Sequence, residues 1–163
     1  MAVRPPVPSW AIPGAIALTA CGLVAGGVFL ARTLNLAACP LCILQRMLYL
    51  LLALEALAAC CLAASAQRLL ALLMTATALT GASVAAYQTW LQRFAKDVSC
   101  TANQPWWERL VDWAGAQWPL LFEASGFCSE AGWKLLGLSI AEWSLVAFTA
   151  FTLAALAMYR RKN

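Results

Sequence analysis

The chain has 163 residues, 63% of them hydrophobic and 11% charged, which excludes an ordinary soluble domain and admits apolar runs long enough to cross a bilayer. It contains no histidine, so His-ligated haem, His-ligated zinc and histidine proton transfer are excluded together. The net charge of +4 informs through its placement rather than its size, and the length fits one integral membrane domain over residues 1–163.

Residues 1–10 are a Pro-rich tail carrying Arg4. Residues 11–31 are almost entirely apolar and form the first expected span. Within it Gly22 and Gly26 are four apart with Gly27 beside them, a spacing that predicts close approach of a second helix. Leu36-Ala37-Ala38-Cys39 looks like a bacterial lipoprotein cleavage site. The apolar run is too long for a signal peptide core, however, and Arg32 and Asn35 separate it from the cysteine. The segment is therefore read as a retained span.

Residues 32–42 form a short loop ending in Cys39-Pro40-Leu41-Cys42. The second span is expected over residues 43–64, with Pro40 suited to a helix start because its missing N–H costs nothing there. Ser65-Ala66-Gln67-Arg68 reads as a tight polar turn. The third span, residues 69–90, ends in Tyr87-Gln88-Thr89-Trp90, the mixture expected at a membrane interface.

Residues 91–139 are the one long polar segment. They hold Cys100, Cys128 and the tryptophans Trp106, Trp107, Trp113 and Trp118. From Trp106 to Trp113, apolar and charged residues alternate at roughly helical spacing. Such a helix either lies flat in the headgroup layer or packs on the rest of the loop. The last span, residues 140–159, is stopped by Arg160-Arg161-Lys162. The expected fold is thus an all-α membrane protein, a four-helix bundle with a long exported loop that contains a short interfacial helix.

Charge placement orients it. The N-terminus, the residue 65–68 turn and the C-terminus carry Arg4, Arg68, Arg160, Arg161 and Lys162 and no acid. The long loop has four basic residues (Arg93, Lys96, Arg109, Lys134) against five acids, with Glu142 adjoining. Basic loops stay cytoplasmic. Both termini are then cytoplasmic, and Cys39, Cys42, Cys100 and Cys128 face the exported side, where disulfides persist.

At a helix start, the N-terminal dipole and nearby positive charge stabilise a thiolate. Cys42 is the better placed of its pair, and Arg46 follows one turn later on the same face. An arginine just inside a membrane helix is a functional candidate by default; the alternative is that it snorkels to the interface as an anchor. A zinc site of all four loop cysteines competes, but the 27 residues between Cys100 and Cys128 suit a loop disulfide better than a ligand pair. Two exported cysteine pairs, one at the membrane edge and one in a loop, can relay oxidation by thiol–disulfide exchange. With no haem, flavin or iron–sulfur signature, a membrane quinone is the remaining electron acceptor. Cys21, Cys60 and Cys61 read as small apolar packing residues. Glu55 reads as neutral and hydrogen-bonded, a role in proton handling being the alternative.

This pattern resembles the bacterial disulfide bond formation protein B (DsbB) family over nearly the whole chain. The resemblance is carried by the four spans, by Cys39-x-x-Cys42 leading to Arg46, and by Cys100 and Cys128 before span four. The strings Glu123-Ala124-Ser125-Gly126-Phe127-Cys128 and Leu136-Gly137-Leu138 add to it. It implies an inner-membrane thiol oxidase that reoxidises a periplasmic dithiol oxidase of DsbA type and reduces quinone, ubiquinone or menaquinone. Under it, Cys100 is attacked by the reduced partner, and Cys128 is its disulfide mate. Electrons reach Cys39–Cys42 through a Cys39–Cys128 intermediate. Cys42 faces the quinone by thiolate attack or charge transfer, and Arg46 holds or polarises the ring. The family can carry a histidine near the end of span three. Gln88 stands there in this chain, either as a quinone hydrogen-bond donor without charge or as plain interfacial polarity.

Two other readings fit less well. Enzymes resembling vitamin K epoxide reductase usually place the helix-mouth Cys pair after the loop cysteines. A non-catalytic organiser resembling tetraspanins has no use for Cys39, Cys42 and Arg46, and the loop lacks a Cys-Cys-Gly motif.

Overall fold

The computed structural model describes residues 10–62, 64–94 and 105–161. Six helices and one small hairpin occupy these residues: α1 (Ala11–Thr33), α2 (Pro40–Cys61), α3 (Ala64–Phe94), α4 (Trp106–Gln117), α5 (Pro119–Phe122), β1 (Lys134–Leu135), β2 (Leu138–Ser139) and α6 (Ile140–Arg161). Four of them, α1, α2, α3 and α6, are long and apolar enough to cross a membrane. Cys100, with its neighbours from residue 95 to 104, lies outside the described residues, as do Arg4 and Lys162.

The bundle is inside-out relative to a soluble one. Its surface carries Leu18, Leu54, Leu69, Leu79 and Leu153, all exposed, while alanines fill the helix interfaces: Ala53, Ala56 and Ala59 on α2, and Ala71, Ala78 and Ala85 on α3. Small side chains let backbones approach where no hydrophobic effect separates helix from lipid. At the centre the Tyr49 ring stacks on Phe148 at 4.1 Å and meets Phe151 edge-on.

Packing is uneven around the ring of helices. Contacts are extensive between α3 and α6, between α1 and α2, and between α2 and α3, whereas α1 barely touches α6. The expected role of Gly22, Gly26 and Gly27 is corrected here. Nothing lies within 4 Å of a methyl group built on any of them. α1 packs through Ile16, Ala17, Ala20 and Val24; Gly22 and Gly26 lie well round the helix from that face and look across the open seam, while Gly27 falls on the packed side but beyond the reach of a neighbour. The packing role given to the apolar-run cysteines changes likewise, since Cys21 and Cys61 are exposed on the outer surface.

Helix boundaries follow local chemistry. α1 ends in a Schellman motif: Asn35 takes a positive φ of 49° and the Leu36 N–H reaches the Ala31 carbonyl at 2.8 Å. α2 starts earlier than expected, at Pro40. The expected polar turn at residues 65–68 is instead the first turn of α3. Its Gln67 side chain donates to the carbonyls of Ala59 and Leu62, satisfying the end of α2 without a longer loop. α6 opens with a capping box, in which the Ser139 N–H binds Glu142 Oε2 at 2.7 Å and the Glu142 N–H binds Ser139 Oγ. Glu142 also pairs with Arg93, tying the end of α3 to the start of α6.

The hairpin was not expected in an all-α chain. Its turn is Leu136-Gly137, both at positive φ, 53° and 82°, with Lys134 opposite Ser139 and Leu135 opposite Leu138. Leucine rarely adopts that backbone, which is why the sequence gives no Asn-Gly type of turn signal.

Candidate functional site

The site is assembled at the N-terminus of α2. Cys39 is the N-cap: its backbone is extended, and its sulfur accepts the Cys42 N–H at 3.4 Å. Pro40 follows as the first helical residue, where no donor is needed. The Cys39 and Cys42 sulfurs are 3.2 Å apart. Helix periodicity then sets Gln45 and Arg46 beside Cys42, three and four residues on.

Cys128 joins them through the backbone of its loop. The N–H groups of Ser125 and Gly126 both donate to the Ala38 carbonyl, at 2.9 and 3.0 Å. Cys128 thereby packs on the apolar cluster of Cys39, Leu41 and Leu91. Cys39 is buried in contact with Cys42 and in the same cluster as Cys128. Hydrogen bonding to Cys128, then to Cys42, and then burial push its thiol far up, so it keeps its proton. Cys128 moves the other way. Hydrogen bonding from Cys39 lowers it against the opposing effect of burial, with help from the Leu41 N–H, one of the unpaired amides of the α2 start.

Three of the four expected cysteines therefore meet in one place: Cys39, Cys42 and Cys128. A cleft of about 500 Å³ opens beside them, along the seam between α1 and α6. Cys42, Gln45, Arg46 and Tyr49 form its α2 wall, Gly22 and Gly26 face them from α1, and Trp143 closes the α6 side. That volume suits a small ring ligand. Arg46 does not simply extend to the surface. It is half-buried and directs one N–H to the Leu121 carbonyl of α5, leaving others of its five donors for the cleft.

Gln88 does not take the surface position that plain interfacial polarity would give it. Tyr87 and Trp90 form the exposed aromatic girdle and stack on each other, but Gln88 points inward and is only 1% exposed. It is not among the cleft-lining residues. Its Nε2 donates to the sulfurs of Cys42 at 3.0 Å and Cys39 at 3.2 Å. Its Oε1 accepts from Gln45 Nε2 at 2.7 Å.

Sequence reasoning overlooked Gln45. Its position three residues after Cys42 was the available signal. Glu55 lies about 20 Å along α2 from Cys42 by the helix rise and accepts a hydrogen bond from Thr77 at 2.9 Å.

Helix α4 buries Val111 and Ala114, while Trp106, Leu110 and Trp113 remain exposed along one line. One face of the helix is packed, as one of the two expected arrangements has it, and the other is apolar and exposed.

The family described as "Disulfide bond formation protein DsbB" matches residues 10–158. A disulfide bond formation protein B of Dechloromonas aromatica is 42% identical over 161 residues, covering 97% of this chain and 95% of the relative. One from Nitrosomonas europaea is 38% identical, covering 91% and 92%. One from Aromatoleum aromaticum is 36% identical, covering 87% of each.

Proposed function

The chain belongs to the DsbB family of membrane disulfide-forming oxidoreductases, and from that premise we propose that it is a thiol:quinone oxidoreductase of the bacterial inner membrane. Its electron donor is the reduced dithiol of a periplasmic, DsbA-like thioredoxin-fold oxidase. Its acceptor is a lipid-soluble quinone, ubiquinone or menaquinone. Both termini are cytoplasmic and the reactive cysteines periplasmic, a reading supported by the basic residues Arg68 and Arg160 at the opposite end of the helices.

The observation that carries the proposal is the position of Cys39. It touches Cys42 and shares its buried cluster with Cys128, beside an apolar cleft whose wall includes Arg46. A partner thiolate attacks Cys100 of a Cys100–Cys128 disulfide, and Cys128 leaves as thiolate. Cys128 attacks Cys39 of the Cys39–Cys42 disulfide, and Cys42 leaves as thiolate. The partner's second thiol then displaces Cys100, releasing oxidised partner. Cys100 attacks Cys128, which restores the loop disulfide and frees Cys39. Each exchange passes through a mixed disulfide, and electrons balance at every step.

The quinone takes up two electrons and two protons as the Cys39–Cys42 bond re-forms. The protein's part is to hold Cys42 ionised, through Arg46 and the start of α2. The apolar cleft keeps water from the ring. Arg46, with donors left over from Leu121, binds the ring oxygen as negative charge grows there.

Purified protein mixed with a reduced thioredoxin-fold dithiol should bleach added quinone. Cys42→Ser should abolish that bleaching while still forming a mixed disulfide with the partner. Quinone turnover retained in Cys42→Ser rejects the assignment.

A further inference from the structure

We infer that Gln88 and Gln45 form a buried amide pair that keeps the Cys42 sulfur ionised, Gln88 as its hydrogen-bond donor and Gln45 as the residue that orients Gln88. A carboxamide has a donating end and an accepting end. Gln88 directs its two amide hydrogens at two sulfurs, Cys42 at 3.0 Å and Cys39 at 3.2 Å. Its oxygen faces away from both and accepts from Gln45 Nε2 at 2.7 Å.

The orientation matters because the sulfurs change state. In a disulfide or as a thiolate, sulfur has no proton to donate and can only accept. The amide hydrogens must then face it. Turned over, Gln88 would set its oxygen against the thiolate and its NH2 group against that of Gln45. Gln45 is 3% exposed and Gln88 1%, so neither wrong contact would be relieved by water.

The placement follows from helix geometry. Gln45 and Arg46, three and four residues after Cys42, flank its sulfur on α2. Gln45 reaches α3 and Gln88, while Arg46 reaches Leu121 of α5. Gln88 therefore supplies a neutral donor to a sulfur that also has the Arg46 charge one helical turn away. When Cys39 is engaged with Cys128, the same Gln88 amide still holds Cys42. A buried glutamine pair could serve as helix-to-helix adhesion alone. Adhesion, however, does not require the second amide's hydrogens to converge on the two redox sulfurs.

The inference builds on the proposed thiol chemistry of Cys42, but its test uses no quinone. Fully reduced, full-length protein in detergent is treated with iodoacetamide at a pH below the midpoint of the wild-type Cys42 pH–rate profile, where the rate follows the thiolate fraction, and modification of Cys42 is followed by site-resolved mass spectrometry. Gln88→Leu and Gln45→Leu should each slow Cys42 alkylation by about tenfold, the order expected for one hydrogen bond to an ionised group. Loosened packing would act in the opposite direction and speed it by exposing the sulfur. If Gln45 works through Gln88, the double variant is no slower than Gln88→Leu, whereas independent effects multiply to about a hundredfold. Gln45→Glu, nearly isosteric, should also slow alkylation, because its carboxylate draws the Gln88 hydrogens away from sulfur. Should Gln45→Leu not fold, Gln45→Glu in the wild-type and Gln88→Leu backgrounds gives the same cycle. Wild-type or faster alkylation in the single variants, or multiplied slowing in the double, overturns the inference. Absence of quinone reduction by the wild-type protein would sink the quinone reading and leave these rates as they are.

Discussion

Gly126 presses against the carbonyl of Ala37 so closely that a methyl group on its Cα would overlap the oxygen. That contact lets the N–H groups of Ser125 and Gly126 share the Ala38 carbonyl, and it is how the loop delivers Cys128 to Cys39. Both sides of the contact are backbone, so neither can yield by a rotamer change. Gly126→Ala should therefore separate the two loops and lose both hydrogen bonds, about 1–3 kcal/mol in all. The yield of trapped Cys39–Cys128 mixed disulfide should fall by roughly tenfold. A wild-type yield, quantified by non-reducing peptide mapping, would contradict this account of the docking.

Arg46 should act on the acceptor side of the relay. Removing a charge-assisted donor costs about 1.5–3 kcal/mol, so Arg46→Ala should raise the quinone KM by roughly tenfold to a hundredfold. Exchange between the partner and the loop cysteines should stay near normal. Arg46→Lys should recover only part of the effect, since one ammonium cannot serve both the Leu121 carbonyl and the ring. Steady-state kinetics with varied quinone decide it; an unchanged KM and turnover reject the role.

The seam between α1 and α6 should be the route by which a lipid-borne ring arrives. Nothing stands within 4 Å of a methyl group added at Gly26, and the cleft of about 500 Å³ that Gly26 lines gives the rest of a leucine side chain space to fill. In Gly26→Leu the melting temperature should not drop, while quinone reduction should slow by about tenfold or more if the filled volume excludes the ring. Dithiol exchange measured without quinone serves as the control. Quinone kinetics identical to wild type would place the route elsewhere.

Gly81 tests the other wall of the bundle. A methyl group there meets the Phe148 ring well inside van der Waals contact, and Phe148 is stacked on Tyr49. Overpacking of this kind costs about 1–3 kcal/mol. Gly81→Ala should lower the thermal midpoint, and Gly22→Ala, on the open seam, should not. Equal midpoints in the two variants would show that the ring moves aside freely.

Much of this architecture is legible along the chain. A span must supply enough consecutive apolar residues to match the bilayer, so Ala11–Thr33, Pro40–Cys61 and Ile140–Arg161 announce themselves by length. The helix-mouth chemistry is equally local, because Cys39, Pro40, Cys42 and Arg46 lie within two turns and the helix repeat alone sets their faces.

What only the tertiary structure decided lies between residues distant in the chain. Periodicity says which side of α1 bears Gly22 and Gly26, but not that α6 stands back from it. Backbone contact at Gly126, rather than any side-chain pattern, brings Cys128 to Cys39. Gln88 sits in an interfacial string that reads as surface, yet it turns inward because a partner 43 positions earlier, Gln45, and two sulfurs satisfy its amide there. Sequence determines what each segment can bury; which neighbour it is buried against depends on how all the helices share one limited interior.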